Sequence, residues 1–294
     1  MIKKGLSRLG ILFLYLLSLL PFWFLYVIAD GLFIILYYIT GYRRKVVQEN
    51  LRNSFPEKSD TERAAIEKKY YRYLADLIIE TIKAISLSKK EIDKRAYLRN
   101  PGLIDKYAAQ GKSIVAVTGH YGNWELCCLQ FGFCTDKLIR LVTYKPLNNE
   151  TFNDFFNKTR SRTGVEMISM RQTYRKLVGL KKELTFTILA SDQTPTREEA
   201  QYFTTFLNQP TPVFLGIEKI AKSLNCVVVF FDMYRVGRGY YESTIVPLTE
   251  DPAHTEPYEI TELHVRHLEE LIKEKPEYWL WSHRRWKIKP QDVH

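Results

Sequence analysis

The chain has 294 residues, with 43 Lys and Arg against 33 Asp and Glu, a formal charge of +10, and 46% hydrophobic residues. That length allows one large α/β domain with a sizeable core, or two small domains. The cationic excess suits acidic partners: phosphate-bearing lipids, nucleic acid or an acidic carrier protein. The cysteines Cys127, Cys128, Cys134 and Cys226 show no CxxC spacing, and an adjacent pair is a poor disulfide, so they read as reduced thiols in a cytosol-facing core.

Residues 9–29, LGILFLYLLSLLPFWFLYVIA, carry no charge. At about 1.5 Å per residue such a helix reaches roughly 30 Å, a hydrocarbon core's thickness. Pro21 can kink it, and Tyr15, Trp23 and Tyr26 suit interfacial positions. Residues 31–42 form a second uncharged run, too short to span, which predicts an interfacial or partly buried helix. A cleaved signal peptide is the rival reading, with Lys3, Lys4 and Arg8 as its basic region and Val27-Ile-Ala29 as its cleavage sequence. A buried helix of a soluble protein is another. The apolar stretch is longer than a usual signal core and more apolar sequence follows, which favours an anchor. Basic residues flank both ends, so charge does not fix its orientation.

Beyond the anchor, helical and strand-like patterns alternate. Residues 59–86 read as a long amphipathic helix with Ser59 or Asp60 as cap. Strands are expected at 113–118, 138–143, 184–190, 226–233 and 240–246, the last two joined by a hairpin turn at 235–239. Helices are expected at 123–131, 149–163 with Gly164 as stop, 173–182, 213–224 and 258–274. This predicts an α/β fold, a mixed sheet flanked by helices, divided into an N-terminal anchor and interfacial helix (1–45) and a catalytic domain (46–294).

His120 and Glu125 stand after the apolar run 113–118. Inside one helix, five steps would turn them about 140° apart. They can meet only if His120 precedes the helix and Glu125 lies in its first turns, a transition that Gly119, Gly122 and an Asn123 N-cap permit. A carboxylate on one imidazole nitrogen frees the other to take a proton from a hydroxyl. A structural histidine and a metal ligand are the other readings of the pair, though no three-ligand set accompanies it.

His120-Tyr-Gly-Asn-Trp-Glu125 resembles the HX4(D/E) motif of lysophospholipid-type acyltransferases, specifically the lipid A biosynthesis acyltransferase family, lauroyl- and myristoyl-transferring branch. Further blocks follow the same order along nearly the whole chain. Asn50-Leu-Arg-Asn-Ser-Phe-Pro56 resembles NLxxxFP, Tyr144-Lys-Pro146 the YRP block, and Arg160-Ser-Arg162-Thr-Gly164 the arginine block. Ser191-Asp-Gln193 is similar to the DQ block, and Trp281-Ser-His-Arg-Arg-Trp-Lys287 to the terminal WxHRR(F/W)K signature. Phe206-Leu-Asn208 departs from the family's FFG element, and an EGTR-like block is missing, which favours the lipid A branch over glycerolipid synthesis.

The resemblance implies a glycerolipid-acyltransferase-like fold and catalytic roles for His120 as general base, Glu125 as its orienting partner, Arg160 on an oxyanion or phosphate, and Asp192 as an active-site acid. A solvated helix-end arginine and a turn-capping aspartate are the bland readings of the last two. Asn123, Tyr144, Lys145, Gln193, Arg284 and Arg285 are the expected substrate contacts. The segment around Trp279, Trp281, His283 and Trp286 reads as an interfacial aromatic and cationic cluster or as a docked C-terminal strap, and His264 and His267 as surface residues. Cys127 and Cys128 are the only rivals for a covalent role. No metal or cofactor is expected. The implied partners are acyl carrier protein as donor, a phosphorylated glycolipid acceptor and the membrane; nucleic acid is not expected, since no stacking module accompanies the basic residues. The implied location is the bacterial inner (cytoplasmic) membrane with the catalytic domain facing the cytoplasm. The alternatives are the same chemistry on another acceptor, an aminolipid, glycolipid or acylated metabolite, and a non-catalytic membrane scaffold.

Overall fold

The computed structural model describes residues 2–293, without the side chains of residues 2 and 3. Met1 and His294, the outer ends of the two expected segments, lie outside the described residues, as does the Lys3 side chain of the basic N-terminal cluster. The uncharged stretch does not form one helix. It breaks at Pro21, whose ring removes an N–H and fixes φ at −67°, into α1 (Ile2–Ser18) and α2 (Phe22–Ile34). A π-helical turn, Ile35–Ile39, prolongs α2. Among the described residues, the helix long and apolar enough to cross a membrane is therefore residues 22–39, with mean hydropathy 2.0, and not 9–29. The run at 31–42 is the end of that helix instead of a separate interfacial one.

Four helices and a strand follow: α3 (Arg44–Ser54), α4 (Asp60–Ala84), α5 (Lys89–Arg95), β1 (Ala96–Leu98) and α6 (Gly102–Ala109). Ser59 and Glu62 close a reciprocal capping box on α4, as an S-x-x-E start requires. The wound part comprises β2 (Ile114–Thr118), α7 (Trp124–Phe131), β3 (Ile139–Tyr144), α8 (Glu150–Ser161), β4 (Glu166–Ser169), α9 (Thr173–Gly179) and β5 (Thr185–Ala190). Next come β6 (Tyr202–Phe206), β7 (Gln209–Val213), α10 (Gly216–Leu224), β8 (Val227–Gly237), β9 (Tyr240–Thr249) and α11 (Glu259–Glu274).

Seven strands make one mixed sheet in the order β1-β9-β8-β2-β5-β3-β4, in which only the β8–β9 pair is antiparallel. The central β2 alternates between two cores, as its period of two demands. Val115 and Val117 face the side of Leu268 and Trp279, while Ile114 and Ala116 face that of Leu126 and Phe131. Burial on both faces explains why the strand reads as an unbroken apolar run. The mixed sheet flanked by helices is the expected architecture.

The hairpin β6–β7 was not expected. Its turn, Leu207-Asn208, holds both residues at positive φ (49° and 61°), and residues 213–215 precede α10 instead of opening it. A leucine is a poor left-handed residue. Here its side chain is fully buried and its N–H donates to Glu269 Oε1 at 3.0 Å, while Asn208 Nδ2 donates to the Ser54 carbonyl at 3.0 Å. Tertiary contacts therefore hold a turn that local sequence disfavours.

Candidate active site

Parallel register places the central pair. Thr118, the last residue of β2, pairs with Ala190, the last of β5, and the ladder runs one step further as the Ser191 N–H donates to the Thr118 carbonyl at 3.1 Å. His120 and Asp192 stand two residues beyond those partners, so the same register brings them side by side at the carboxyl edge of the sheet. That edge is where open α/β sheets form their sites. His120 Nδ1 lies 2.6 Å from Asp192 Oδ1. Asp192 Oδ2 accepts the His120 backbone N–H at 2.7 Å and the Trp279 indole N–H at 2.8 Å. The Trp124 ring stands edge-on to the imidazole, 5.0 Å between centroids.

Burial opposes charge on both groups, and the pairing overrides it. Desolvation would push His120 down, but the Asp192 charge and hydrogen bond raise it above its ordinary value. Desolvation would push Asp192 up, but His120 and the donors around it lower the carboxyl to about 2. With Nδ1–H committed to Asp192, Nε2 is the bare nitrogen, and the Gln193 amide nitrogen rests 3.2 Å from it.

Glu125 does not orient His120. His120 does precede α7 and Glu125 does lie in its first turn, but the carboxylate is held by Arg160 from α8. Arg160 Nε donates to Oε2 at 2.9 Å and Nη2 to Oε1 at 2.6 Å, a two-point clamp that fixes the guanidinium plane. Burial works against the Arg160 charge, and Glu125 more than restores it. The two helices meet where Gly132 ends α7 against Thr163.

Other expected contacts separate. Gln193 is at the imidazole, and Tyr144 ends β3 at the same sheet edge, with Lys145 exposed beyond it. Asn123 is buried and fully engaged: its Oδ1 caps the Leu126 N–H at 2.9 Å and its Nδ2 donates to Glu80 Oε2 at 2.8 Å. It builds the turn instead of meeting a ligand. Arg285 is likewise buried, its Nη2 donating to the Pro212 carbonyl at 2.6 Å, and desolvation lowers it to about 10. Arg284 is exposed. Trp279 and Trp281 are core residues, so the C-terminal segment is a docked strap and not an interfacial aromatic cluster. His264 is buried and pushed down to about 4, and His267 meets Asp232 at 2.9 Å; neither is a simple surface residue. Burial pushes the Cys127 and Cys128 thiols up, Cys128 to about 12, which leaves no ready thiolate. Among the described residues no group of three or more metal-ligating side chains occurs.

Sequence reasoning missed Trp279, which completes the Asp192 carboxylate, and Glu80. The latter is buried in α4 and accepts from Asn123, from Tyr241 at 2.7 Å and, through Oε1, from Tyr26 of α2 at 3.0 Å. An acid in the middle of an apolar helix face was the available signal.

The sheet edge thus carries a histidine–carboxylate pair, with a clamped arginine on the neighbouring helix, an arrangement suited to taking a proton from a hydroxyl. The model of the bacterial lipid A biosynthesis acyltransferases matches residues 1–288, and the chain belongs to that family. It is 24% identical over 277 residues to a lipid A biosynthesis acyltransferase of Haemophilus influenzae, covering 93% of this chain and 85% of the relative. Identity is 26% over 295 residues with the lipid A biosynthesis lauroyltransferase of Escherichia coli K12, covering 99% and 94%. It is 24% over 249 residues with the palmitoleoyltransferase of the same organism, covering 84% and 80%.

Proposed function

We propose that the protein moves a fatty acyl chain from acyl carrier protein to a hydroxyl of a lipid A precursor, at the bacterial inner membrane with the catalytic part facing the cytoplasm. The observation that carries the mechanism is the seating of His120, with Nδ1 on Asp192 and Nε2 facing Gln193. Gln193 yields its place to the acceptor hydroxyl, and Nε2 takes the proton as the oxygen attacks the thioester carbonyl. Asp192 stabilises the imidazolium that forms. The negative charge on the former carbonyl oxygen is met by Arg160, whose plane Glu125 holds. Collapse expels the carrier thiolate, which takes the proton from His120.

Family membership supports the acyl transfer and the acceptor. The membrane reading rests on large apolar side chains left exposed along α1 and α2, among them Leu9, Phe13, Leu16, Trp23 and Val27. The full chain in lipid, given labelled acyl carrier protein and a lipid A precursor, should form the labelled ester. The His120→Ala variant should lose it roughly 10³-fold or more. Full activity in that variant would remove the mechanism.

A further inference from the structure

A groove of about 600 Å³ opens between α3 and the C-terminal strap, apart from the His120 edge. Four exposed cations line it, Lys45, Arg284, Lys287 and Lys289, against one acid, Glu49. Among the described residues none of the four has a carboxylate within salt-bridge distance. Four like charges gathered around one acid repel one another, an arrangement that an anionic ligand relieves. The remaining walls have a different chemistry. Asn53 and Gln291 are exposed amides, and the half-buried Trp286 offers an aromatic surface, fixed by its indole N–H on Thr211 at 2.7 Å. Amides beside an aromatic wall suit a sugar's hydroxyls and its apolar ring face, where cations alone would suit any phosphate.

Two connections relate this groove to the reaction. Thr194, next to Gln193, donates to the carbonyls of Arg284 and Arg285, so the strap bearing Arg284 is fastened to the loop that touches His120 Nε2. Lys45 stands six residues after Ile39, the end of the apolar helix, so the groove opens close in sequence to the apolar segment. We infer that this groove holds the phosphorylated saccharide head of the acceptor lipid while the acyl hydroxyl reaches His120. The inference rests on the acceptor reading above. A concave site of this size fits one phosphosugar better than the convex face of a carrier protein.

The test uses the full chain in nanodiscs. The double variant Arg284→Gln/Lys287→Gln should raise KM for the acceptor about tenfold or more, with kcat within about twofold and KM for the acyl donor unchanged. A rise confined to the donor KM would overturn the inference in favour of a carrier-protein face, and unchanged constants would overturn it outright. A second arm needs no turnover. Glucose 6-phosphate should quench the fluorescence that Trp286→Phe removes, more tightly than glucose or inorganic phosphate. Equal binding of inorganic phosphate would reduce the groove to a plain anion site and defeat the saccharide assignment. Binding of the sugar phosphate by a protein that transfers no acyl chain to a lipid A precursor would leave the groove standing and remove the acceptor reading.

Discussion

Both carboxylate oxygens of Asp192 serve to hold His120 in place. One takes Nδ1, and the other takes the His120 backbone N–H together with the Trp279 indole. Asp192→Asn should lower kcat about 10³- to 10⁴-fold, the scale seen when an orienting carboxylate is lost. The pH profile adds a second readout. The rate needs neutral His120, so activity falls as pH drops through its pKa, which Asp192 holds above the ordinary 6.5. In the asparagine variant that charge no longer offsets burial, and the acid limb of kcat/KM should move to lower pH. An unmoved limb would contradict the pairing. Glu125 and Arg160 form a separate unit. In a double-mutant cycle, Glu125→Gln and Arg160→Ala should each cost about 10²- to 10³-fold and add little when combined. Glu125→Gln should also move the acid limb to lower pH, but less than Asp192→Asn does, because the Glu125 charge raises His120 after the larger effects of Asp192. His120 was legible in sequence, because a histidine after a buried apolar strand is conspicuous. Its partner was not, since sequence nearness favours Glu125 whereas Asp192 arrives from 72 residues away through strand register.

Elements carry the next scale. The α7–α8 contact is so close that a Cβ at Gly132 would lie 2.1 Å from Thr163 Oγ1 and 2.5 Å from its carbonyl oxygen. Backbone cannot yield as a side chain can. Gly132→Ala should therefore destabilise the fold by about 1–3 kcal/mol in a denaturant or thermal melt. It should also spread Glu125 from Arg160, lowering kcat more than a surface mutation of equal stability cost. Most core elements were legible because their signals are local: the capping box of α4, the apolar run of β2, the Asn123 cap of α7. The β6–β7 hairpin was not, since a Leu207 at positive φ contradicts turn chemistry and is held only by Glu269 and burial. The apolar N-terminus was plain in the sequence, but uniform hydrophobicity concealed its division. Pro21 ends one helix and starts another, and the span shifts toward the chain's interior.

At the scale of the molecule, α1 and α2 present apolar side chains outward while their other faces pack on α4 and α8. A charge on the outer face should therefore affect lipid binding and spare folding. Val27→Arg, at an exposed position of α2, should weaken insertion by up to about 2.5–3.5 kcal/mol. Vesicle flotation should show its loss from membranes, with an unchanged melt in detergent. A melt that collapses would instead make α2 a core helix. The attachment runs deeper than packing: Arg238, in the β8–β9 turn, bridges Asp30 of α2 and Asp76 of α4, each at 2.6 Å.

The Tyr26–Glu80–Asn123 chain bears on how this enzyme can be made and how it can be silenced. Trimming the first 39 residues, the ordinary route to a soluble preparation, also takes the hydroxyl that satisfies one oxygen of a buried carboxylate. Removing α2 also uncovers the α4 face around Ile79 and Ile82, and the disturbance reaches the asparagine that seats the helix behind His120. A trimmed chain should melt lower and turn over more slowly even on short, water-soluble substrates that need no bilayer. A protease cutting at residue 40 would thus leave a weakened and slower enzyme, not merely a detached one.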